Sequence, residues 1–172
     1  MADGSGSRPR SIEARRSSSR WEIYLSEPRI ILLVEDNEDD AELTARAFSH
    51  ARIPNPLVRV RDGVEALDYL YARGGYVDRD AAVLPVVVLL DLNLPRLDGI
   101  DVLKTIRSHE RTRYLPVVML TSSDHERDRL AAYHHRVNSY VKKPIDYDQF
   151  TEATRQLCVY WVELNAPVPS LR

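Results

Sequence analysis

Five short apolar runs punctuate the chain: Ile30–Val34, Leu57–Arg61, Pro85–Leu90, Pro116–Leu120 and Asn138–Lys142. Each has the length of a strand and is too short for a helix. Between them apolar residues recur at helical spacing, at Leu43, Ala47 and Ala51, then Val64, Leu67, Leu70 and Tyr71, then Ile100, Leu103 and Ile106. That is the period of a helix with one buried face. Strand and helix alternate five times, which predicts an α/β fold with a parallel sheet covered by helices on both faces. The third and fourth runs, PVVVLL and PVVML, are apolar throughout, as strands buried on both faces are. LVRVR alternates and NSYVK is only partly apolar, so these two form the edges. The order 2-1-3-4-5 follows, with right-handed crossovers and a crevice beyond the carboxyl ends of strands 1 and 3.

Two helices break the pattern. The last, from about Tyr147 to Leu164, carries Phe150, Leu157, Trp161 and Leu164 on one stripe, yet its segment LCVYWV is apolar all round. One sheet-facing stripe cannot bury six side chains. The simplest supplier of a second contact surface is a homodimer through this C-terminal helix region, with a local cap from the tail as the alternative. The helix around Asp124–His135 offers the core only Leu130, Ala131 and Tyr133. It is expected to be weakly anchored and easily shifted.

Composition narrows the class. At 172 residues the chain suits one domain. Residues 1–28, rich in Ser, Gly and Arg, read as a disordered tail, or more sharply as a basic arm. Residues 29–165 form the domain, 166–172 a C-terminal tail, and no output domain is expected beyond it. A net charge of −2 gives no pointer to nucleic acid. No run approaches the ~20 apolar residues of a membrane span, and the N-terminus lacks a secretory apolar core. The single cysteine, Cys158, rules out an internal disulfide framework and suits a reducing cytoplasm.

The chemistry gathers at the strand ends. The stretch ILLVEDNEDD places five carboxylates directly after strand 1. Glu38, Asp39 and Asp40 open the next helix, where acids favour the positive end of the helix dipole. Glu35 and Asp36 come too early for that. With Asp91, at the end of strand 3, they should converge in the crevice, where three carboxylates repel unless a divalent cation joins them. An all-oxygen site with open positions suits Mg2+. Strand 4 ends in Thr121 and strand 5 in Lys142 and Lys143. A nucleophilic carboxylate, a metal, a hydroxyl and a fixed cation together suit phosphoryl transfer.

The acid pair, Asp91 in LLDLNLPRLDG, Thr121 in VVMLTSS and Lys143 in YVKKP resemble the receiver domain of two-component response regulators, over about residues 29–165. The resemblance implies a flavodoxin-like doubly wound sheet and a stand-alone, single-domain regulator. It implies that Asp91 accepts a phosphoryl group from a histidine kinase, with Mg2+ held by Glu35, Asp36, Asp91 and the backbone carbonyl of Asn93. Thr121 would bond one phosphoryl oxygen and Lys143 pair with another. Thr121 and Tyr140 would form the switch, moving the face made by helix 4, strand 5 and helix 5. Asn93 and Ser123 would flank the approach of water. Of the two lysines, Lys143 directly precedes the proline and is the family's position; the Lys143–Pro144 bond is expected to be cis. AELTARAF, RDGVEALDYLY, the long 73–84 connection and PIDYDQF further resemble stand-alone regulators that serve phytochrome-type kinases. Such a protein is no enzyme in the ordinary sense, catalysing only its own phosphorylation and dephosphorylation.

One departure concerns Arg136-Val137, where the family usually has a small Gly-Ala pair before the last strand. An arginine there must strain or alter a turn that glycine would relieve. His134 and His135 read as helix-terminal residues rather than metal ligands. A haloacid-dehalogenase-like phosphatase would need its nucleophile on strand 1 and an acid at the position of Asn93. A flavodoxin-like flavin carrier would need a first loop that welcomes phosphate, and Glu35–Asp40 would repel it. A phosphorylation-independent interaction scaffold would normally lack a crevice residue, and none is missing.

Overall fold

The computed structural model describes residues 29–166. Five parallel strands, β1 (Ile31–Val34), β2 (Leu57–Val60), β3 (Val87–Leu90), β4 (Val117–Thr121) and β5 (Ser139–Lys142), form one sheet in the order β2-β1-β3-β4-β5. The helices are α1 (Glu38–His50), α2 (Gly63–Tyr71), α3 (Gly99–Ser108), α4 (Glu126–His134) and α5 (Tyr147–Cys158). The expected topology and edge strands are those observed.

Successive side chains of a strand point to opposite faces, and the core divides accordingly. Leu32, Val34, Val88, Leu90, Val117 and Met119 pack with α2, α3 and α4 through Leu70, Leu103, Ile106 and Ala132. Ile31, Leu33, Val87, Leu89 and Val118 pack on the other face with Phe48, Cys158 and Trp161 of the α1–α5 side. Four helices start on a capping side chain: Asn37, Asp62, Asp98 and Asp146 each accept a hydrogen bond from an amide three residues on. α4 has none, and its only buried residue is Ala132. Leu130 and Tyr133, expected in the core, are exposed. The helix is therefore anchored even less than its sequence implies.

The helix faces differ in detail from the expected stripes. α1 buries Ala41, Thr44, Ala47 and Phe48, one register away from Leu43 and Ala51. The last helix widens to a π-helix over Val159–Leu164, where Asn165 N–H donates to the Tyr160 carbonyl at 2.7 Å. Phe150, Thr154, Cys158 and Trp161 face inward, while Leu164 and Tyr160 are exposed. The widened turn changes the angular step per residue, so a stripe counted at 3.6 residues per turn misplaces Leu164.

Two backbone expectations have opposite outcomes. Arg136 adopts the left-handed conformation at φ 60°, after His135 ends α4. Val137 N–H donates to the Ala132 carbonyl at 3.0 Å and Arg136 N–H to the Tyr133 carbonyl at 2.9 Å, the pattern of a Schellman cap with arginine in the glycine position. A side chain there costs about 1–2 kcal/mol. In contrast, no peptide bond among the described residues is cis, so Lys143–Pro144 is trans, the lower-energy isomer even before proline. The tail segments 1–28 and 167–172 lie outside the described residues. Among those described, no helix is long and apolar enough to cross a membrane.

Candidate functional site

Pairing of Val34 with Leu90 places the ends of β1 and β3 side by side, which brings Glu35 next to Asp91. One carboxylate oxygen from each of Glu35, Asp36 and Asp91 lies within 4.8 Å of the others. Glu35 and Asp91 are buried, whereas Asp36 is exposed. Such a set of oxygen donors, open on one side, fits a hard divalent cation that keeps some of its water. Among the described residues this is the sole cluster of that kind.

Each acid is held by its own local structure. Asp91 Oδ1 accepts from the amides of Leu92 at 2.5 Å and Asn93 at 3.3 Å. The carboxylate is thus oriented by the loop it opens. A Cβ on Gly99 would collide with the Asp91 carbonyl oxygen, so glycine at the start of α3 lets that helix close under the loop. Glu35 Oε1 accepts from the Asn37 amide at 3.1 Å. Burial holds the Glu35 carboxyl above the usual carboxylate range, and the nearby ammonium of Lys143 offsets this only in part.

Lys143 follows β5 and reaches into the same notch. Its Nζ donates to Glu35 Oε2 at 2.5 Å, Asp40 Oδ2 at 2.7 Å and Asp91 Oδ2 at 3.0 Å. Burial alone would pull its ammonium down, but the bonds to Asp40 and Glu35 and the charge of Asp91 push it well above the ordinary range. Lys142 points the other way, pairing with Asp124 at 2.5 Å on the surface, as the alternation along a strand requires.

Pairing of Leu90 with Met119 sets the ends of β3 and β4 together. Thr121 is fully buried there. Its Oγ1 accepts from the Ser123 amide at 3.2 Å, and the hydroxyl proton is left for another partner. Tyr140 is half-buried on β5 and donates its hydroxyl to the Ser123 carbonyl at 3.2 Å. The Ser123 hydroxyl in turn donates to Asp128 of α4 at 2.6 Å. The loop after β4 is thereby tied to both β5 and α4. Asn93 is exposed at the rim. His134 and His135 lie away from this site, their rings 5.0 Å apart, and among the described residues no acid or thiol completes a metal set with them.

Two side chains of the site escaped the sequence reading. Asp40 looked like a dipole-complementing acid only; it stands three residues into α1 from the Asn37 cap, and helical side chains lean back toward the N-terminus, which directs it over the notch. Arg59 of β2 is the other. Its guanidinium donates to the carbonyls of Glu35 and Asp36, both at 3.0 Å, and pairs with Glu38 at 2.9 Å. It lowers the Glu38 carboxyl below its usual range. A signal was available, since Arg59 shares strand parity with Leu57, which is partly buried against the core of the α1–α5 face.

Comparison with known proteins gives a consistent result. The family model described as response regulator receiver domain matches residues 31–155. The probable methanogenesis regulatory protein FilR2 of Methanothrix harundinacea is 41% identical over 149 residues, 86% of this chain and 94% of the relative. The crystal structure of the Mn2+-bound response regulator Rcp1, a protein of Synechocystis, has TM-score 0.75 and 33% identity, covering 82% of this chain and 99% of that one. The bacteriophytochrome response regulator AtBRR has TM-score 0.67 and 48% identity, covering 81% and 99%.

Proposed function

The chain belongs to the response regulator receiver domain family, and from that premise we propose that it is a stand-alone, cytoplasmic phosphoryl acceptor that takes its phosphoryl group from a histidine kinase on Asp91. The observation that carries this reading is the Asp91 carboxylate, oriented by two amides on one oxygen and by Lys143 on the other. An Asp91 oxygen attacks the phosphorus of a phosphohistidine, the P–N bond breaks, and the departing imidazole takes up a proton. Lys143, already fixed beside Asp91, pairs with one phosphoryl oxygen, and the Thr121 hydroxyl donates to another. Glu35, Asp36, Asp91 and the Asn93 carbonyl would hold Mg2+, which would supply charge neutralisation to the incoming phosphoryl group. The Mn2+-bound relative and the oxygen donor set support that choice.

Signal output then runs through Thr121 and Tyr140. Drawing Thr121 toward the phosphoryl oxygens removes the acceptor of the Ser123 amide, and Ser123 carries the carbonyl that Tyr140 holds. The linked element, α4, buries one residue only, so its displacement breaks little apolar contact. The face of α4, β5 and α5 is the output surface. The partner kinase is a bacteriophytochrome, by likeness to AtBRR.

The test is incubation with Mg2+ and acetyl phosphate, followed by intact mass. Wild type is expected to gain one phosphoryl group and Asp91→Asn none. Wild type that gains none would leave a phosphorylation-independent scaffold. A homodimer is proposed as well. Val141, Leu157, Tyr160 and Trp161 line an open groove of about 390 Å3 beside the edge strand β5, and Leu164, at the end of the same helical segment as Tyr160 and Trp161, is exposed. Light scattering should give twice the chain mass, and Leu164→Asp should lower it; a monomeric wild type at micromolar concentration would refute the dimer.

A further inference from the structure

Away from the notch, toward the amino ends of β4 and β5, two helix ends meet around a recess of about 170 Å3. Lys104, Arg107 and Ser108 line it from α3, and His134, His135 and Arg136 from the end of α4. No residue of the phosphoryl site takes part.

Two unfavourable features are concentrated there. Arg107 is buried, and its guanidinium donates to the carbonyls of Arg136 at 2.9 Å and Leu115 at 2.8 Å and to Asn138 Oδ1 at 2.8 Å, with a longer bond to the Arg113 carbonyl at 3.4 Å. These partners are all neutral. Burial, and after it the neighbouring charge of Arg136, pushes the Arg107 guanidinium down to about 10, and among the described residues no acid acts against them. The second feature is Arg136, which holds a left-handed backbone that glycine would adopt without strain. Its side chain adds a second positive charge to a recess that already repels it. Among the described residues, Lys104 is the one cation of the set with an acidic partner, Asp101 at 2.7 Å, and both are half exposed and free to separate.

We propose that this recess is a binding site for a small phosphate-bearing anion, a phosphate ion or the phosphate end of a soluble monoester. A dianion would neutralise the Arg107–Arg136 pair, and its several oxygens could accept from the Arg136 guanidinium, the Lys104 ammonium and imidazole together, while the Ser108 hydroxyl stays bonded to the Thr105 carbonyl at 2.9 Å. The recess has room for one phosphate and a few attached atoms. The consequence is mechanical as well as electrostatic. The ligand bridges the last turn of α3 to the last turn of α4, the helix with no capping side chain and one buried residue. Occupancy therefore pins the C-terminal end of the most loosely held element. This holds or fails independently of phosphorylation at Asp91.

The test uses the full chain in EDTA, where the metal-free acidic notch repels anions, with inorganic phosphate titrated at constant ionic strength. Thermal unfolding and amide exchange over residues 131–137 are followed. A saturable increment is expected: at phosphate ten times its Kd, the unfolded-to-folded ratio falls about elevenfold. Exchange in the α4 end should slow in step. Arg136→Gly removes a charge and the strained backbone together, so it should unfold at higher temperature without phosphate yet lose the increment. Lys104→Gln, an exposed change, should weaken binding without affecting the unliganded protein. Equal increments in wild type and Arg136→Gly, or no saturable increment in wild type, would overturn the site. Sedimentation with anionic phospholipid vesicles in place of phosphate binding would overturn its assignment to a soluble ligand.

Discussion

Replacing Lys143 with methionine removes the ammonium and keeps the apolar stem. In the native protein that ammonium stands 2.5 to 3.0 Å from three carboxylates. At an effective dielectric constant near 20, one pair at such distances is worth about 6 kcal/mol before desolvation, and burial of both partners consumes most of it. The cost of the substitution comes from what is left behind. Glu35 and Asp91 are both buried and would face each other and Asp36 with no cation between them. Breaking a buried pair from one side costs about 3–5 kcal/mol, a fall in melting temperature on the order of 10 °C for a domain of this size. Two signatures separate this from generic damage. First, Mg2+ should restore more stability to the variant than it adds to wild type, because it takes over the charge that Lys143 supplied. Second, Glu35 loses the influence that opposed its burial, so its folded-state pKa rises further. A folded pKa above the unfolded one favours the native state at low pH, and this contribution is lost as pH rises through the folded value. The variant should therefore recover stability on mild acidification while wild type does so less. Urea melts at pH 5.5 and 7.5, each in EDTA and in Mg2+, measure all of this. A loss under about 1 kcal/mol in EDTA, or equal Mg2+ increments in both proteins, would refute the charge-compensation reasoning.

Arg59→Met should weaken Mn2+ binding about tenfold with little effect on folding, because the guanidinium braces the two backbone carbonyls next to the acid pair; titration by electron paramagnetic resonance checks it, and unchanged affinity would show the brace irrelevant. Burial pushes the Cys158 thiol up to about 12, so stability should be retained below about pH 9 and lost as pH rises through about 12. For the same reason the native protein at pH 8 should resist thiol reagents that label the unfolded chain at once, and rapid native labelling would contradict the burial.

The sheet was legible because its signals are strong and redundant. Apolar runs mark buried strands, strand ends in this topology share one rim, and Glu35, Asp36, Asp91, Thr121 and Lys143 each occupy such an end. What escaped the sequence depends on distances between elements. Asp40 serves both the helix dipole and Lys143, and only packing of α1 against the end of β5 reveals the second role. Leu130 and Tyr133 have the composition of core residues but lie on the exposed side of α4, since alanine at 132 is the residue that meets the sheet. The π-helical turn at Val159–Leu164 has no local sequence mark, so periodicity failed there.

The acidic stretch after β1 resolves into separate duties. Asn37 caps α1, Glu38 is neutralised by Arg59, and Asp40 and Glu35 grip Lys143, leaving Asp36 exposed at the mouth. In the resting notch an internal ammonium stands between the acids where a divalent ion would also be drawn. Lys143 can give up Glu35 to an incoming cation and still be held by Asp40, which remains half exposed on α1. The acid in the first turn of α1 would thus keep the ammonium beside Asp91 if the acid pair were engaged by a cation, as proposed above. On the proposed function, that is the position from which it would meet a phosphoryl oxygen without first being recruited from solvent, and positioning of this kind is the largest part of phosphoryl-transfer catalysis.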